Sequence, residues 1–410
     1  MAATKRPCFK PPPSLATNHK RLRPSPPPAA AAADMDAVVS VSPPQPLLPG
    51  LPDHLAQLCL SPLPPRLLHA VCRPWRRLMY TPSFPPFMSL YALLDDVSFA
   101  AYDPMARRWD FLPPPPMPSP PPTLWHPSFL SRRLPLQSVA VAGRLVVVSG
   151  STQSLHPALP RPLVFDPSSP TPRWHHGPRI PLSPRRWCAA GAARGRVFLA
   201  GGVGAGYDPA VACSGATWNP ASSSASASWE EIPPLRDGRF SRDAVDAVCA
   251  GGKVCMVNLR CIRGPKEGAV FDLAAGRWED MPPGMLAGWK GPAAAAEDGG
   301  ETIYVLDEER GALTAYNWGT DRWTTVAESE RLKGAAEMAV AGGKACVVAH
   351  GGGKVLIVDM ASPPKAAAAA AVTPWRESSS LASPIMWEVA APAGKRVVSL
   401  HVLPRMTRPE

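Results

Sequence analysis

The sequence lacks the features that would assign it to a membrane or secreted class. No run of about 18 apolar residues occurs, so we expect no membrane-spanning helix. The basic residues near the start are not followed by a continuous apolar stretch, so we expect no secretory signal. The nine cysteines include no CxxC pair, which fits free thiols in a reducing compartment better than a disulfide framework. These absences predict a cytoplasmic protein, a nuclear protein, or one found in both compartments.

Residues with the usual catalytic and metal-binding chemistry are also sparse. His175 and His176 are neighbours on a predicted strand, where consecutive side chains point to opposite faces, so they cannot chelate one ion. The segment from Gly201 to Gly206 does not match the GxGxxG register, and we expect no helix after it, so it predicts a turn rather than a phosphate site. Three equally spaced cysteines lack a fourth ligand and are expected as buried strand thiols: Cys249, Cys255 and Cys261. We therefore predict no metal site, no cofactor and no catalytic residue.

Proline and positive charge, in contrast, are in excess. Proline accounts for 55 of the 410 residues, far above its usual share of about 5%. The net charge of +11 is one mark of a nucleic-acid-binding protein, but six basic residues precede the first acid, Asp34. Because this stretch is poor in large apolar groups, we predict that residues 1–46 form a disordered basic tail. The run KRLRP at Lys20 is either a nuclear-import patch or a short solvated basic run.

Residues 47–86 hold the only convincing helical pattern. Asp53 suits the N-terminus of a first helix, Pro65 that of a second, and Pro74 that of a third. Arg73, Arg76 and Arg77 are left for the outer face. The apolar residues that share one face of each helix, and point inward in the second, are Leu51, Leu55, Leu58 and Cys59, then Leu67, Leu68, Val71 and Cys72, then Trp75, Leu78 and Met79.

Three short helices cannot bury so many large side chains among themselves, because about 40 residues is near the lower limit for a self-sufficient core. Either this surface packs only on the domain that follows, or it leaves an apolar patch that docks on a separate protein. The helical pattern by itself leaves both arrangements open.

From Phe87 onward a repeated marker replaces the helical pattern: an aspartate or asparagine, then a tryptophan several positions later. Successive tryptophans lie 65, 55, 49, 45 and 64 residues apart, which brackets the period of about 50 residues of one class of β-propeller. Trp375 is a rival marker for the last copy. The six copies end at Trp109, Trp174, Trp229, Trp278, Trp323 and Trp387.

Each copy has the composition of a four-stranded propeller blade. The inner strands are small and apolar because they converge, and Gly201 and Gly202 allow close backbone approach. The tryptophan at the start of each fourth strand buries roughly 200 Å² between adjacent blades. The first copy lacks its innermost strand, so we predict that the strand beginning near Lys395 completes that blade and closes the ring. Residues 362–383, with six consecutive alanines, are predicted as a loop inserted within the last blade.

The segment LPGLPDHLAQLCLSPLPPRLLHAVCRPWRRLMYTPSF resembles an F-box, with a leucine-proline start at Leu51 and Pro52 and an ending at Cys72, Trp75 and Arg76. In that family the segment binds the Skp adaptor of an SCF (Skp, cullin, F-box) ubiquitin ligase. The resemblance therefore implies the Skp adaptor, and through it a cullin, as partners. It implies these adaptor-binding residues: Leu51, Pro52, Leu55, Leu58, Leu63, Leu67, Val71, Cys72, Trp75 and Leu78.

The wider chain resembles plant F-box/kelch-repeat proteins of the Skp-interacting-partner type. The likeness covers roughly residues 47 to 407 and runs through SFPPFMSLYALL, SPRRWCAAGA, LRDGRFSRDAVDAV, MPPGMLAGWKGP and SERLKGA. It implies a mostly β fold, in which a small three-helix F-box (47–86) precedes a six-bladed kelch β-propeller (87–407). The double glycine of the kelch pattern is clear only in the third copy and approximate in the sixth, so the fourth and fifth blades rest on spacing and tryptophans.

Basic and aromatic residues recur in the links between predicted blades. All links of this kind emerge on one face of a propeller, and in kelch propellers this face generally binds partners, so the resemblance implies a docking rim for a protein substrate. The alternative is that these residues are solvated or pair with nearby acids: Asp237, Asp243, Glu328 and Glu330. The predicted rim comprises Arg133, Arg185, Arg186, Arg236, Arg239, Arg242, Trp289, Lys290, Arg331 and Lys333.

These patterns together predict a non-catalytic, substrate-recruiting subunit of an SCF-type E3 ubiquitin ligase. One alternative is a propeller scaffold unrelated to ubiquitination, whose helices merely pack, and another is nucleic-acid binding through the basic rim. A third is a copper-radical oxidase, which can also be built on kelch blades. Such an oxidase needs tyrosines near the ring axis, and the chain has only six, of which Tyr80 and Tyr91 lie in or next to the F-box region.

Overall fold

The computed structural model describes residues 46–125, 136–206, 208–222, 228–241, 245–258, 266–296, 300–360 and 385–408. Residues 1–45 of the predicted tail, the predicted insertion at 362–383 and the rival marker Trp375 lie outside these ranges. Three short helices precede six four-stranded antiparallel sheets. The prediction of a mostly β chain with a six-bladed propeller is confirmed.

Each blade is one sheet, and its strands are numbered along the chain. The first blade contains β1 (Met88–Leu94), β2 (Phe99–Asp103), β3 (Arg108–Phe111) and, innermost, the last strand β24 (Val397–Pro404). The second and third contain β4 (Gln137–Val141), β5 (Arg144–Ser149), β6 (Leu163–Phe165), β7 (Trp174–His176), β8 (Ala189–Ala193), β9 (Arg196–Ala200), β10 (Gly215–Trp218) and β11 (Glu230–Ile232). The fourth contains β12 (Asp246–Ala250), β13 (Lys253–Val257), β14 (Gly268–Asp272) and β15 (Arg277–Asp280). The fifth and sixth contain β16 (Ala293–Ala295), β17 (Ile303–Asp307), β18 (Ala312–Asn317), β19 (Arg322–Glu328), β20 (Glu337–Ala341), β21 (Lys344–Val348), β22 (Lys354–Asp359) and β23 (Met386–Ala390).

The ring closes through the C-terminal strand, as predicted. β24 pairs antiparallel with β1, with Leu90 opposite Val402 and Tyr91 opposite His401. The Tyr91 hydroxyl donates to the Pro404 carbonyl oxygen at 2.8 Å. Pairing of the two ends of the propeller covers the inner edge of β1, to which another chain could otherwise add.

The tryptophan marker joins five of the blades to the blade before. In five copies the indole N–H donates to a backbone carbonyl at or just beyond the outer strand of the preceding blade, at 2.7–3.3 Å. The side chain therefore supplies both apolar area and one hydrogen bond across the blade interface. The pairs are Trp109 with Ala390, Trp174 with Pro113, Trp229 with Pro178, Trp278 with Pro233, and Trp323 with Gly284.

The aspartate or asparagine of the marker shapes the turn between the third and fourth strands. Its side-chain oxygen accepts a backbone N–H from two residues later, and in several copies also from three residues later. Short polar side chains stabilise tight turns in this way. The residues that do so are Asp103, Asp166, Asn219, Asp272 and Asn317.

The double glycine of the third blade allows close backbone contact, as expected. Gly202 has φ of +88°, and a Cβ there would lie 2.6 Å from the Arg186 carbonyl oxygen. The expectation that no helix follows was wrong, because the short helix α4 spans Pro209–Cys213. The Asp208 carboxylate accepts the Ala210 N–H at the start of this helix, so a side chain of the protein already caps it.

The N-terminal helices begin and end close to the predicted positions. α1 spans Asp53–Leu60, α2 spans Pro65–Val71 and α3 spans Arg73–Leu78. The predicted inward face of the second helix was wrong in part, because Leu67 and Val71 are exposed. The buried side chains that form the helix core are Ala56, Leu60, Leu68, Leu78, Met79, Tyr80, Phe84 and Phe87.

The propeller has two faces that differ in what they carry. Because strands alternate in direction, the links between blades emerge at one face, here called the link face. The turns between third and fourth strands emerge at the other, here called the turn face. β1 begins at Met88 opposite Pro404, where β24 ends, so the helices join the ring at the turn face. The described parts of the links lie within 112–136, 177–188, 233–245, 281–292 (which includes helix α5, Pro283–Gly288), 329–336 and 391–396.

Candidate functional site

An exposed apolar surface covers the outer side of α1 and α2. Leu58 is 68% exposed, Val71 51% and Leu67 48%. Leu55 and Leu51 are 41% and 38% exposed. These five side chains are here called the apolar helix face. Several large aliphatic groups exposed within one short segment are typical of a protein-binding surface.

The helix core explains why these side chains face solvent. Each helix is short enough that only a narrow stripe reaches the core, and Ala56, Leu60 and Leu68 occupy it. Leu55 and Leu58 are three residues apart, and Leu67 and Val71 are four apart, so each pair shares one side of its helix. The apolar positions on these helices therefore divide between an inner stripe and an outer one.

The other predicted adaptor-binding residues lie at varied depths. Pro52 is exposed, whereas Leu63, Cys72 and Trp75 are half-buried. The Trp75 indole N–H donates to the Leu47 carbonyl oxygen at 2.8 Å. Leu78 is only 5% exposed, so it belongs to the helix core, and its assignment to the surface needs correction.

Exposed basic residues lie in the same segment as the apolar helix face. Between residues 46 and 87 the chain contains four arginines and a single acid, Asp53. All four arginines are exposed, and none forms a salt bridge to a described residue. These arginines, here called the basic helix residues, are Arg66, Arg73, Arg76 and Arg77.

On the link face, five residues of the predicted rim are exposed. Most of them pair with acids, as the alternative interpretation of the sequence held. The Arg239 guanidinium bonds to Asp237 at 2.6 Å, and this hydrogen bond holds the pKa of Asp237 at about 2. The other pairs join Lys290 to Asp307 at 3.4 Å, Arg331 to Glu388, and Lys333 to Glu330 at 2.8 Å. Arg236 is exposed, with no salt bridge to a described residue.

Three residues of the predicted rim are buried and need correction. Arg185 and Arg186 are 1% exposed, and Trp289 is fully buried. Trp289 packs with Met281 and Met285 in the core of the fourth and fifth blades. Trp289 turns inward because it packs on apolar side chains, and Arg185 because it donates to backbone carbonyl oxygens. Arg133 and Arg242 lie outside the described residues.

Arg185 joins two blades from inside. Its guanidinium Nη1 donates to the carbonyl oxygens of Gly201 and Ser214, each at 3.2 Å. Its backbone carbonyl accepts the Ser149 hydroxyl at 2.8 Å. Burial lowers the pKa of this guanidinium from its ordinary value. These contacts tie the link after the second blade to the third blade, which is a structural role.

Replacing Arg185 with alanine is therefore expected to lower the free energy of unfolding by about 2–4 kcal/mol, because two buried carbonyl oxygens lose a charged donor. Urea denaturation followed by tryptophan fluorescence measures this change. The matched variant Arg236→Ala removes an exposed arginine and should change stability by less than about 0.5 kcal/mol. Equal stability of the two variants would show that Arg185 has no structural role.

Two exposed apolar residues on the link face were not singled out from the sequence. Trp125 is 54% exposed and Leu182 is 63% exposed. Both lie in irregular links, where no periodic pattern separates exposed from buried positions. They add apolar area to a face that is otherwise lined by paired charges.

The described residues contain no group of three histidine, cysteine, aspartate or glutamate side chains placed to hold a metal ion. Within the same ranges, none of the helices combines the length and the apolar character needed to cross a membrane.

Comparison with known proteins identifies relatives for most of the chain. It is 42% identical over 386 residues to the F-box/kelch-repeat protein SKIP25 of Arabidopsis thaliana, which covers 88% of this chain and 91% of that protein. It is 24% identical over 282 residues to the F-box protein AFR of the same plant, covering 64% of this chain and 69% of that protein. No family model matches the sequence. With six blades, three preceding helices and this degree of identity to SKIP25, the chain belongs to the plant F-box/kelch-repeat proteins of the SKIP type.

Proposed function

We propose that this protein is the substrate-recruiting subunit of an SCF-type E3 ubiquitin ligase. The observation that carries the proposal is the apolar helix face, with its five exposed aliphatic side chains. It lies in the helical segment of a chain that belongs to an F-box protein family. An F-box role requires such a surface to be free for a partner. The family relationship supports the Skp adaptor as that partner, and we propose that a cullin binds through it.

The apolar helix face has the chemistry of a helix-docking surface. Leu55, Leu58 and Leu67 project from consecutive helices, and each large aliphatic group contributes about 1.5–3 kcal/mol when it is fully buried. Water leaves an interface of this kind when the partner binds. These side chains are therefore buried in the complex rather than in the helix core. We assign Leu51, Pro52 and Val71 to the same contact. Leu63, Cys72 and Trp75 are half-buried and support it from beneath.

The link face is the proposed site for the protein substrate. It lies across the ring from the helices, so adaptor and substrate can bind at the same time without overlap. Its exposed cationic groups and the apolar side chains of Trp125 and Leu182 provide mixed contacts suited to a protein surface. The basic residues that we retain for this role are Arg236, Arg239, Lys290, Arg331 and Lys333, with Arg133 and Arg242 as sequence-based predictions.

The protein contributes proximity rather than chemistry in this proposal. Holding the substrate and the ligase on one rigid body raises the effective concentration of substrate at the site of transfer. No group on this chain is required to activate a bond. We place this activity in the cytoplasm or the nucleus, where reducing conditions suit the free cysteines of the described residues.

Co-expression of the full chain with the Skp adaptor and cullin tests the proposal. A receptor should co-purify with both as a single species, and its yield of folded protein should rise with the adaptor because binding stabilises the native state. Correctly folded chain that elutes apart from the adaptor would support a propeller scaffold unrelated to ubiquitination.

The basic helix residues predict an electrostatic contribution to adaptor binding. Because these arginines have no acidic partner among the described residues, we expect them to attract a partner surface that carries carboxylates around its apolar groove. Reversing Arg66 and Arg73 to glutamate should slow association about tenfold at low salt and less at high salt. Stopped-flow fluorescence measures the rate.

Matched reversals on the propeller, at Arg161 and Arg236, change the net charge equally and should leave the association rate nearly unchanged. If both pairs of reversals slow association to the same extent, then the net charge of the protein determines the association rate, and the position of the basic helix residues does not.

A further inference from the structure

The last residues of the chain hold the F-box helices against the propeller. After β24 ends, residues 405–408, here called the C-terminal strut, run between the segment that follows α3 and the first two blades. The Arg405 N–H donates to the Phe87 carbonyl oxygen at 2.8 Å, and the Thr407 N–H donates to the Pro167 carbonyl oxygen at 2.9 Å. Arg405 and Thr407 are each 3% exposed. Strand β24 closes the ring, so the strut performs a separate task.

The Arg405 side chain binds the segment that connects the helices to β1. Its Nη2 donates to the carbonyl oxygens of Thr81 and Phe84, at 2.7 and 3.1 Å. The Thr81 carbonyl also accepts the Phe84 N–H at 3.3 Å. The guanidinium adds a donor to both carbonyls of this irregular segment, so it helps to define the path of the segment. The connection between helices and propeller is thereby held by a residue that lies more than 300 positions away in sequence.

Arg408 and Asp103 bind Tyr80, the second residue after α3. The Tyr80 hydroxyl donates to Asp103 Oδ2 at 2.6 Å, and Arg408 Nη2 donates to Asp103 and Asp110 at 2.8 Å each. The Arg408 guanidinium also lies 4.1 Å from the centroid of the Tyr80 ring. Burial and the Asp103 carboxylate raise the pKa of Tyr80 above its ordinary value, so the phenol remains a hydrogen-bond donor.

Other blades pair the marker aspartate differently. In the second blade Asp166 bonds to Arg144, and in the fourth Asp272 bonds to Lys253, at 3.0 and 2.9 Å. Both cations are the first residue of the second strand of their own blade. In the first blade the register places Ser89, which has no charge, opposite Asp103, and Asp103 instead takes its cation from Arg408. In the second and fourth blades the ion pair of the marker aspartate lies within one blade. In the first blade the same aspartate binds the C-terminal strut and, through Tyr80, the segment after the helices.

We propose that the C-terminal strut and Asp103 set the angle between the F-box helices and the propeller, with Arg405 and Arg408 as positioning residues. The proposal rests on the proposed function, because a fixed angle sets the distance from the adaptor to a substrate on the link face. A defined distance raises effective concentration at one position, whereas a flexible joint spreads the substrate over a larger volume. Among the described residues, the restraints that would remain without the strut are the chain between Met79 and Met88, the Tyr80–Asp103 hydrogen bond and the packing of Met105 against the helix core.

Pulsed electron paramagnetic resonance tests the strut on the free chain, in the absence of any adaptor. Spin labels attached through non-natural ketone side chains at Arg66 in α2 and Glu231 in β11 leave the native cysteines unlabelled. The wild-type chain should show one narrow distance distribution. The double variant Arg405→Ala/Arg408→Ala should lose the narrow peak and show a broad distribution. The single variant Arg408→Lys should keep most of the narrow peak.

The variant Arg236→Ala removes an exposed arginine elsewhere and should leave the distribution narrow. If the double variant fails to fold, Tyr80→Phe removes only the hydroxyl that binds Asp103 and should broaden the distribution by itself. A distribution that stays narrow in the folded double variant, or in Tyr80→Phe where the double variant does not fold, overturns the proposal.

A second measurement separates this proposal from the proposed function. Adaptor affinity of the double variant should equal that of the wild type, since the apolar helix face is unchanged. Loss of the narrow distribution together with absence of adaptor binding in both proteins would sustain the strut and reject the ligase role.

Discussion

Replacing Leu55 and Leu58 with glutamate is expected to abolish capture of the Skp adaptor by the purified chain. Both side chains are largely exposed, at 41% and 68%, so charge at these positions should cost the fold little. In the complex, the two leucines would contribute about 3–6 kcal/mol together, and a buried unpaired carboxylate adds a further penalty. Affinity should fall by roughly a hundredfold to ten-thousandfold or more.

Isothermal titration with purified adaptor measures this loss, and the thermal unfolding of the propeller shows whether the fold is intact. Leu182→Glu provides a matched control, because Leu182 is equally exposed, at 63%, but lies on the link face. It should bind the adaptor like the wild type. Equal losses in Leu182→Glu and in the double variant would mean that the apolar helix face is not the docking surface.

Ending the chain after Lys395 is expected to prevent the propeller from folding. This truncation removes β24, whose buried side chains are Val397, Val398, Leu400, Val402 and Leu403. Their burial contributes about 7–15 kcal/mol, which equals the whole stability of a typical domain of about 5–15 kcal/mol. The loss also exposes the inner edge of β1, which can then pair with other chains and aggregate.

Size-exclusion chromatography and circular dichroism distinguish the two outcomes. Ending the chain after Pro404 gives the matched control, since it removes only the C-terminal strut and leaves β24 intact. That chain should remain a folded monomer with a cooperative unfolding transition. A folded monomer from the shorter chain would contradict closure by β24.

The repeating features of the fold could be read from the sequence because each depends on local chemistry. Asp272 needs only its own turn to accept the following N–H groups, and Trp278 needs only the end of the preceding blade. Such contacts recur at the same place in five of the blades, so they leave a periodic mark in the chain. The helix boundaries at Asp53 and Pro65 follow from capping preferences of the same local kind.

The candidate site was predictable only in part, because exposure depends on which side of an element meets a neighbour. Periodicity placed Leu55 and Leu68 on helices, but the helix core admits Leu68 and leaves Leu55 in solvent. In the links the same difficulty is greater, since irregular chain has no period. Charge suggested that Arg185 would face solvent, yet it is buried beneath the link it belongs to.

The sequence by itself determined the number of blades, the helices before them and the closing strand, because backbone preferences and repeated side chains act over a few residues. Only the tertiary structure decided which leucines form the apolar helix face, which arginines are buried, and that Arg405 and Arg408 meet the segment after the helices. Those contacts join residues more than 300 positions apart. Their geometry arises from closure of the ring, which brings the two ends of the propeller together, and no local pattern in the chain encodes it.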